Sequence, residues 1–295
     1  MAVRSGLFSS PDMAVLGKFV VNFALPALVI RAVTNQNLSE VIEVGYLGGY
    51  LIGFVLTFSF GFFWSRSIEK RALTDNTFDG MGISCANSGF VGYPILMMAL
   101  PAFASKALAL NMIVENLFMI PLVLVLAEYA RGGAGFKGIL VAKVFLRLFK
   151  NPIVISLLIG LTISIAGIEL PTILAHPIDT FAKASSAVSL FVIGGSTAAL
   201  SFDSIDRSAI VVVFGKLILH PIAVFLGIIL MSSIGYGISE KDLSSAAIIM
   251  AATPAMSVYP ILAQRYGDGQ TAALSMLLMT LLSFVTLTVT LTLTL

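Results

Sequence analysis

The tetrapeptide Tyr93-Pro94-Ile95-Leu96 recurs 166 residues later as Tyr259-Pro260-Ile261-Leu262, and each copy lies in the middle of a long apolar segment. Proline lacks a backbone N–H, and its ring clashes with the preceding helical turn. In hydrocarbon an unpaired backbone group is costly, so a broken helix survives only where it lines a cavity or is buried in protein. Matched breaks in the two halves of a membrane chain are the sequence pointer to a transported ligand's site.

Composition decides that these segments lie in a membrane: 58% of the residues are hydrophobic, 11% are charged and the mean hydropathy is +1.02. A span needs about 20 mainly apolar residues. Nine spans are expected, at 13–33, 42–64, 78–100, 106–127, 152–168, 179–200, 208–234, 243–264 and 270–292. The connections are too short for a soluble domain, and 128–151 is the longest. The first apolar run contains Lys18, Asn22 and Pro26 and lacks a small-residue cleavage site, so it reads as a retained span.

Basic residues set the orientation, because cytoplasmic connections carry their excess. Arg4, Lys18, Arg66, Lys70, Arg71, Arg131, Lys137, Lys143, Arg147, Lys150, Arg207 and Arg265 fall on one side, which is therefore cytoplasmic. Arg31, Lys106, Lys183 and Lys241 fall on the other. The YPIL copies occupy the third and eighth spans, and that odd step reverses direction. Inverted repeats follow, with residues 1–127 as the first, 128–151 as a basic cytoplasmic connection and 152–295 as the second. The span at 152–168 has no counterpart in the first half, so a complete version is expected to hold ten spans, with the first absent here.

A free proline favours the first helical turn, so Pro94 and Pro260 are expected to start the second half of each broken span. Their N-termini would point at the midplane, each with roughly half a positive charge, where a carboxylate fits. Asn87, Ser88, Thr253 and Ser257 flank the breaks as neutral hydrogen-bonding groups, Pro254 lies in the second break, and Gly89 and Gly92 allow close backbone approach. Kinked helices packed on one another are the plain alternative.

Two ionisable residues lie well inside spans, Glu115 and Lys216, and such charges are functional by default. A mutual pair is the simplest expectation. Asn111 and Asn116 line Glu115's helix, and His220 shares a face with Lys216. One reading makes Glu115 a proton carrier and Lys216 a counter-ion to the substrate; the other makes them a structural pair. Gly45, Gly49 and Gly53 form a small-residue ridge for helix packing. Serines and glycines at 185–196 also read as packing, with Ser185, Ser186 and Ser189 as lesser candidates for ligand contact. Trp64 reads as an interfacial anchor, 136–150 as a surface amphipathic helix, and the Thr/Leu alternation from Thr286 as membrane helix.

Gly6-Leu7-Phe8-Ser9, Phe23-Ala24-Leu25-Pro26-Ala27-Leu28, Asn87-Ser88-Gly89-Phe90-Val91-Gly92-Tyr93-Pro94 and Ala252-Thr253-Pro254 to Tyr259-Pro260 resemble the auxin efflux carrier family, whose bacterial members include malonate and malate permeases. The resemblance implies an all-α polytopic membrane protein. Its fold would be two inverted five-helix repeats with crossed, broken helices, as in sodium/proton antiporters (NhaA) and bile-acid symporters. It also implies a multi-pass permease of the cytoplasmic membrane that moves small organic anions. No stretch resembles the long hydrophilic loop of the plant hormone carriers. Such a chain meets a small carboxylate, the lipid bilayer and at most a proton as coupling ion; a homodimer is compatible and nucleic acid is not. Neither cofactor nor metal is expected, because Cys85 is alone and His176 and His220 lie far apart. An intramembrane enzyme is disfavoured for want of a nucleophile and base. The competing readings are a sodium-coupled acid symporter, which needs carboxylate or polar sodium ligands near the breaks, and a membrane sensor that binds without transporting.

Overall fold

The computed structural model of the chain describes residues 3, 6–34, 42–132, 146, 150, 152–197 and 206–295. The expected surface helix 136–150 falls almost wholly outside them. All regular elements among the described residues are helical. In chain order they are α1 (Ser10–Phe19) and α2 (Leu25–Thr34), α3 (Val44–Ser67), α4 (Leu73–Ser84), α5 (Tyr93–Ala99), α6 (Pro101–Val114) and α7 (Ile120–Gly132). Then follow α8 (Pro152–Ile165), α9 (Thr172–Thr197), α10 (Arg207–Phe214), α11 (His220–Ser233), α12 (Lys241–Ala251), α13 (Tyr259–Tyr266) and α14 (Gly269–Thr294). Among the described residues, five stretches are each long and apolar enough to cross a membrane: Pro11–Arg31, Val44–Ser67, Pro101–Ala130, Arg207–Ser233 and Gly269–Thr294. The Thr/Leu run at the C-terminus is helical to Thr294.

Four turns are wound wide, with i→i−5 hydrogen bonds: Val20–Ala24, Ser88–Gly92, Glu115–Met119 and Gly215–Leu219. Each is followed directly by an X-Pro pair, namely Leu25-Pro26, Tyr93-Pro94, Ile120-Pro121 and His220-Pro221. The extra residue in the turn opens space ahead of a ring that would otherwise strike the carbonyl four residues earlier, so the helix continues past its proline. Winding therefore resumes at Ser88 after the first break, and Pro94 lies in the second turn of that helix rather than at its start. Pro260 does occupy the first turn of α13.

The helices form two packed groups. In one, α2 lies against α8 and α9, and α1 also lies against α9. In the other, α3 packs on α11 and α4, while α14 packs on α10, α12 and α13. The glycine ridge explains the first of these contacts. A Cβ at Gly49 would stand 2.9 Å from the Ile228 nitrogen, and one at Gly53 2.8 Å from Val224 backbone atoms. From the facing helix, a Cβ at Gly227 would stand 2.3 Å from the Gly49 carbonyl oxygen.

One end of the second group is held by a partly buried ionic network that centres on Arg71. Its guanidinium donates to Asp268 Oδ2 at 2.5 Å, Ser208 Oγ at 2.7 Å and Asp79 Oδ2 at 3.4 Å. Ser208 in turn donates to Asp79 at 3.2 Å. The N-termini of α4, α10 and α14 are thereby tied together. Asp268 also caps α14 by accepting from the Gln270 and Thr271 amides. Partial burial works to raise the Asp268 pKa, but the Thr271 hydrogen bonds and Arg71 outweigh it and hold the carboxyl below its ordinary value. Further ion pairs among the described residues are Arg31–Asp179, Lys106–Glu43 and Arg207–Glu69.

Gly227→Ala is expected to cost about 1–3 kcal/mol by overpacking α3 against α11, seen as a lower melting temperature in detergent. Asp268→Asn is expected to lower the melting temperature at neutral pH. A depressed carboxylate pKa contributes stability above the unfolded value of about 4 and loses it as pH falls through the folded one. The gap between variant and wild type therefore closes on acidification in a pH series of melting curves.

Candidate functional site

The two breaks meet and are stitched to each other. Ala86 and Ala255 form an isolated antiparallel bridge. The Asn87 amide donates to the Pro254 carbonyl at 2.9 Å, and the Met256 amide to the Cys85 carbonyl at 3.1 Å. These bonds satisfy backbone groups that two interrupted helices would otherwise strand in an apolar interior.

Asn87 is used to the full. Its backbone N–H also lies 3.2 Å from Thr253 Oγ1, its Oδ1 accepts from the Phe90 amide at 3.2 Å as an N-cap, and its Nδ2 donates to Ser257 Oγ at 2.9 Å. Thr253 turns its own hydroxyl onto the Met250 carbonyl at 2.8 Å. A Cβ at Gly92 would meet Met250 Sδ and one at Gly89 would stand 2.9 Å from Leu25 Cδ2, so a side chain at either position would have to push aside the end of a flexible neighbour. Asn87, Ser88, Thr253 and Pro254 are buried, whereas Ser257, Val258 and Pro260 are partly exposed. The second break is therefore the accessible one. The N-terminus of α13, at Val258, has no side-chain cap.

A polar relay runs inward from the first break. Tyr46 donates its hydroxyl to Asn111 Oδ1 at 2.9 Å, Asn111 Nδ2 donates to Ser88 Oγ at 2.8 Å, and Ser88 donates to Glu115 Oε1. All of these residues are at most 1% exposed. Charge at Glu115 is thus read directly at Ser88, next to the residue that holds the breaks together. Asn116 does not join the relay; its Nδ2 turns back to the Met112 carbonyl at 2.9 Å.

Glu115 and Lys216 form no ion pair among the described residues. The Lys216 ammonium instead donates to the Ala251 carbonyl at 2.5 Å. The reason is local: Ala251 ends α12, where helical carbonyls lack intrahelical partners and a cation is favoured. His220 places Nδ1 3.0 Å from Thr57 Oγ1 and its ring edge-on to Tyr50. The Tyr50 hydroxyl and His220 Nε2 are buried without a hydrogen-bond partner.

Tyr46, Tyr50 and Thr57 are members of this cluster that the sequence did not single out. The one available signal was Tyr46 and Tyr50 at i and i+4 in an apolar span, which reads equally well as packing. Ser185 is buried and unpartnered on α9, the helix that faces the Ser88–Gly92 turn. Asn87→Ala is expected to lower stability by about 1–3 kcal/mol, because it leaves the Phe90 amide and the Ser257 hydroxyl unmatched. Melting of the purified protein measures this, and Asn87→Ser should recover part of it.

A family model described as membrane transport protein matches residues 1–291. A protein of Rhizobium meliloti (strain 1021) named "Putative malonate transporter" is 26% identical over 281 residues, which cover 94% of this chain and 85% of that one. The "Uncharacterized transporter YfdV" of Escherichia coli (strain K12) is 25% identical over 285 residues, or 96% of this chain and 88% of its own.

Proposed function

The chain belongs to the membrane transport protein family, that of the auxin efflux carriers, and from that premise we propose that it carries small organic anions by alternating access. The substrates are mono- or dicarboxylates such as malonate or malate, bound at the crossed breaks near the midplane of the cytoplasmic membrane. The carrying observation is the stitched crossover, since irregular backbone at membrane depth is the usual home of a transporter's ligand. The relative named for malonate supports a dicarboxylate.

In this reading the chain has nine spans: the five long helices, α8, α9, and two broken pairs, α4 with Ser88–Ala99 and α12 with α13. The two halves are inverted repeats. The α1, α2, α8 and α9 group moves against the group built round the crossover. The substrate carboxylate takes the uncapped N-terminus of α13, beside the partly exposed Ser257 hydroxyl, because the other N-terminus is already capped by Asn87. The helix dipole supplies its charge complement there, since the Tyr259 amide already donates to the Met256 carbonyl and Pro260 has no N–H.

Glu115 is the proton site. As a carboxylate it only accepts, and takes the Ser88 hydrogen; as an acid it can donate as well, so protonation allows the hydrogen bond at Ser88, next to the crossover, to reverse. Protonation thereby becomes a change in the geometry of the first break without contact between proton and substrate.

Uptake of radiolabelled malonate, malate and indole acetate into proteoliposomes at two pH values tests both points. Ser257→Ala is expected to weaken uptake of the transported acid about tenfold, as loss of a hydrogen bond to a charged ligand does, and to lower the melting temperature modestly, because Asn87 Nδ2 loses its acceptor. Glu115→Gln is expected to abolish the pH dependence. Ligand binding without uptake would replace the transport reading with that of a sensor.

A further inference from the structure

Half-helix C-termini and unwound carbonyls are where cation-driven carriers coordinate their coupling ion. In this chain that position is occupied by one of its own side chains. α12 ends at Ala251, immediately before the second break. Its terminal carbonyls are largely accounted for: Ile248 O accepts from the Ala252 amide, Met250 O from the Thr253 amide and hydroxyl, and Ala251 O from Lys216 Nζ. Lys216 is 0% exposed and comes from the wide turn Gly215–Leu219, which its helix needs in order to pass Pro221. It has no ion-pair partner among the described residues.

A buried ammonium with one carbonyl ligand, at the negative end of a half-helix, has the surroundings of a bound monovalent cation. We propose that Lys216 is a tethered cation that fills the coupling-ion place at the crossover, so that transport by this chain requires no sodium or potassium. This rests on the transport reading above, and it goes beyond it by naming what balances the charge at the second break. Lys216 acts through Ala251 and the end of α12, so it is a positioning residue.

The prediction is that removal of the tether creates a site for a free ion. Wild-type malonate uptake into proteoliposomes is expected to be the same in sodium, potassium and N-methylglucamine at equal ionic strength. Lys216→Ala is expected to lose about tenfold or more of that uptake in N-methylglucamine and to regain it in sodium or potassium. Independently of any substrate, the melting temperature of detergent-solubilised Lys216→Ala should rise with sodium or potassium over N-methylglucamine. Wild type and Lys216→Met, whose side chain refills the volume without charge, should not respond.

A Lys216→Ala protein that melts identically in all three cations, or aggregates in all three, overturns the proposal, because a free ion then cannot stand in for the ammonium. A wild type that requires sodium or potassium overturns it too. If no acid is transported by wild type while alkali cations stabilise Lys216→Ala alone, the transport reading fails and the tethered cation stands.

Discussion

Two broken helices can exist inside this protein only because each break supplies the hydrogen bonds that the other lacks. Asn87 N–H to Pro254 O and Met256 N–H to Cys85 O are the minimal exchange, the pairing of a two-residue sheet set among helices. Without it, the ends of α4 and α12 and the starts of the following helices would face hydrocarbon unpaired, at a cost of several kcal/mol per group. The crossover then dictates the rest. The helices that carry the breaks must meet at their centres, α3 and α11 must pack closely enough to flank them, and glycines 49, 53 and 227 are where that closeness is achieved.

The buried charges follow the same logic. Glu115 reaches the start of a half-helix through Ser88, and Lys216 reaches the end of another at Ala251. An anion at an N-terminus and a cation at a C-terminus are the favourable senses of the helix dipole. Both residues come from wide turns enforced by downstream prolines, so the features that interrupt regular winding also deliver the ionisable groups. The Arg71 network is different in kind: it ties helix ends together within one group.

How much of this was legible in the chain depends on whether the signal is local. The membrane class, the place of both breaks, and Glu115 and Lys216 as the charges inside the spans follow from hydropathy, proline and the cost of burying ions, each readable from a residue and its neighbours. Tyr46, Tyr50 and Thr57 were not legible, since a tyrosine or threonine in an apolar helix reads as packing until its distant partner is known. The expected Glu115–Lys216 pair was inferred from charge alone. Sequence shows which ions need compensation and not which backbone carbonyl is nearer.

Sequence by itself determined that the chain is helical, buried in lipid and broken twice at Tyr-Pro-Ile-Leu, because hydrophobicity and the missing proline N–H act on a residue wherever it lies. Only the tertiary structure decided that helical winding resumes at Ser88 rather than at Pro94, that Asn87 spends its hydrogen bonds on the opposite break, and that Lys216 caps α12. Those outcomes depend on groups between 6 and 170 residues apart in the chain, and hydrogen bonds choose among such groups only after packing has brought them within about 3 Å.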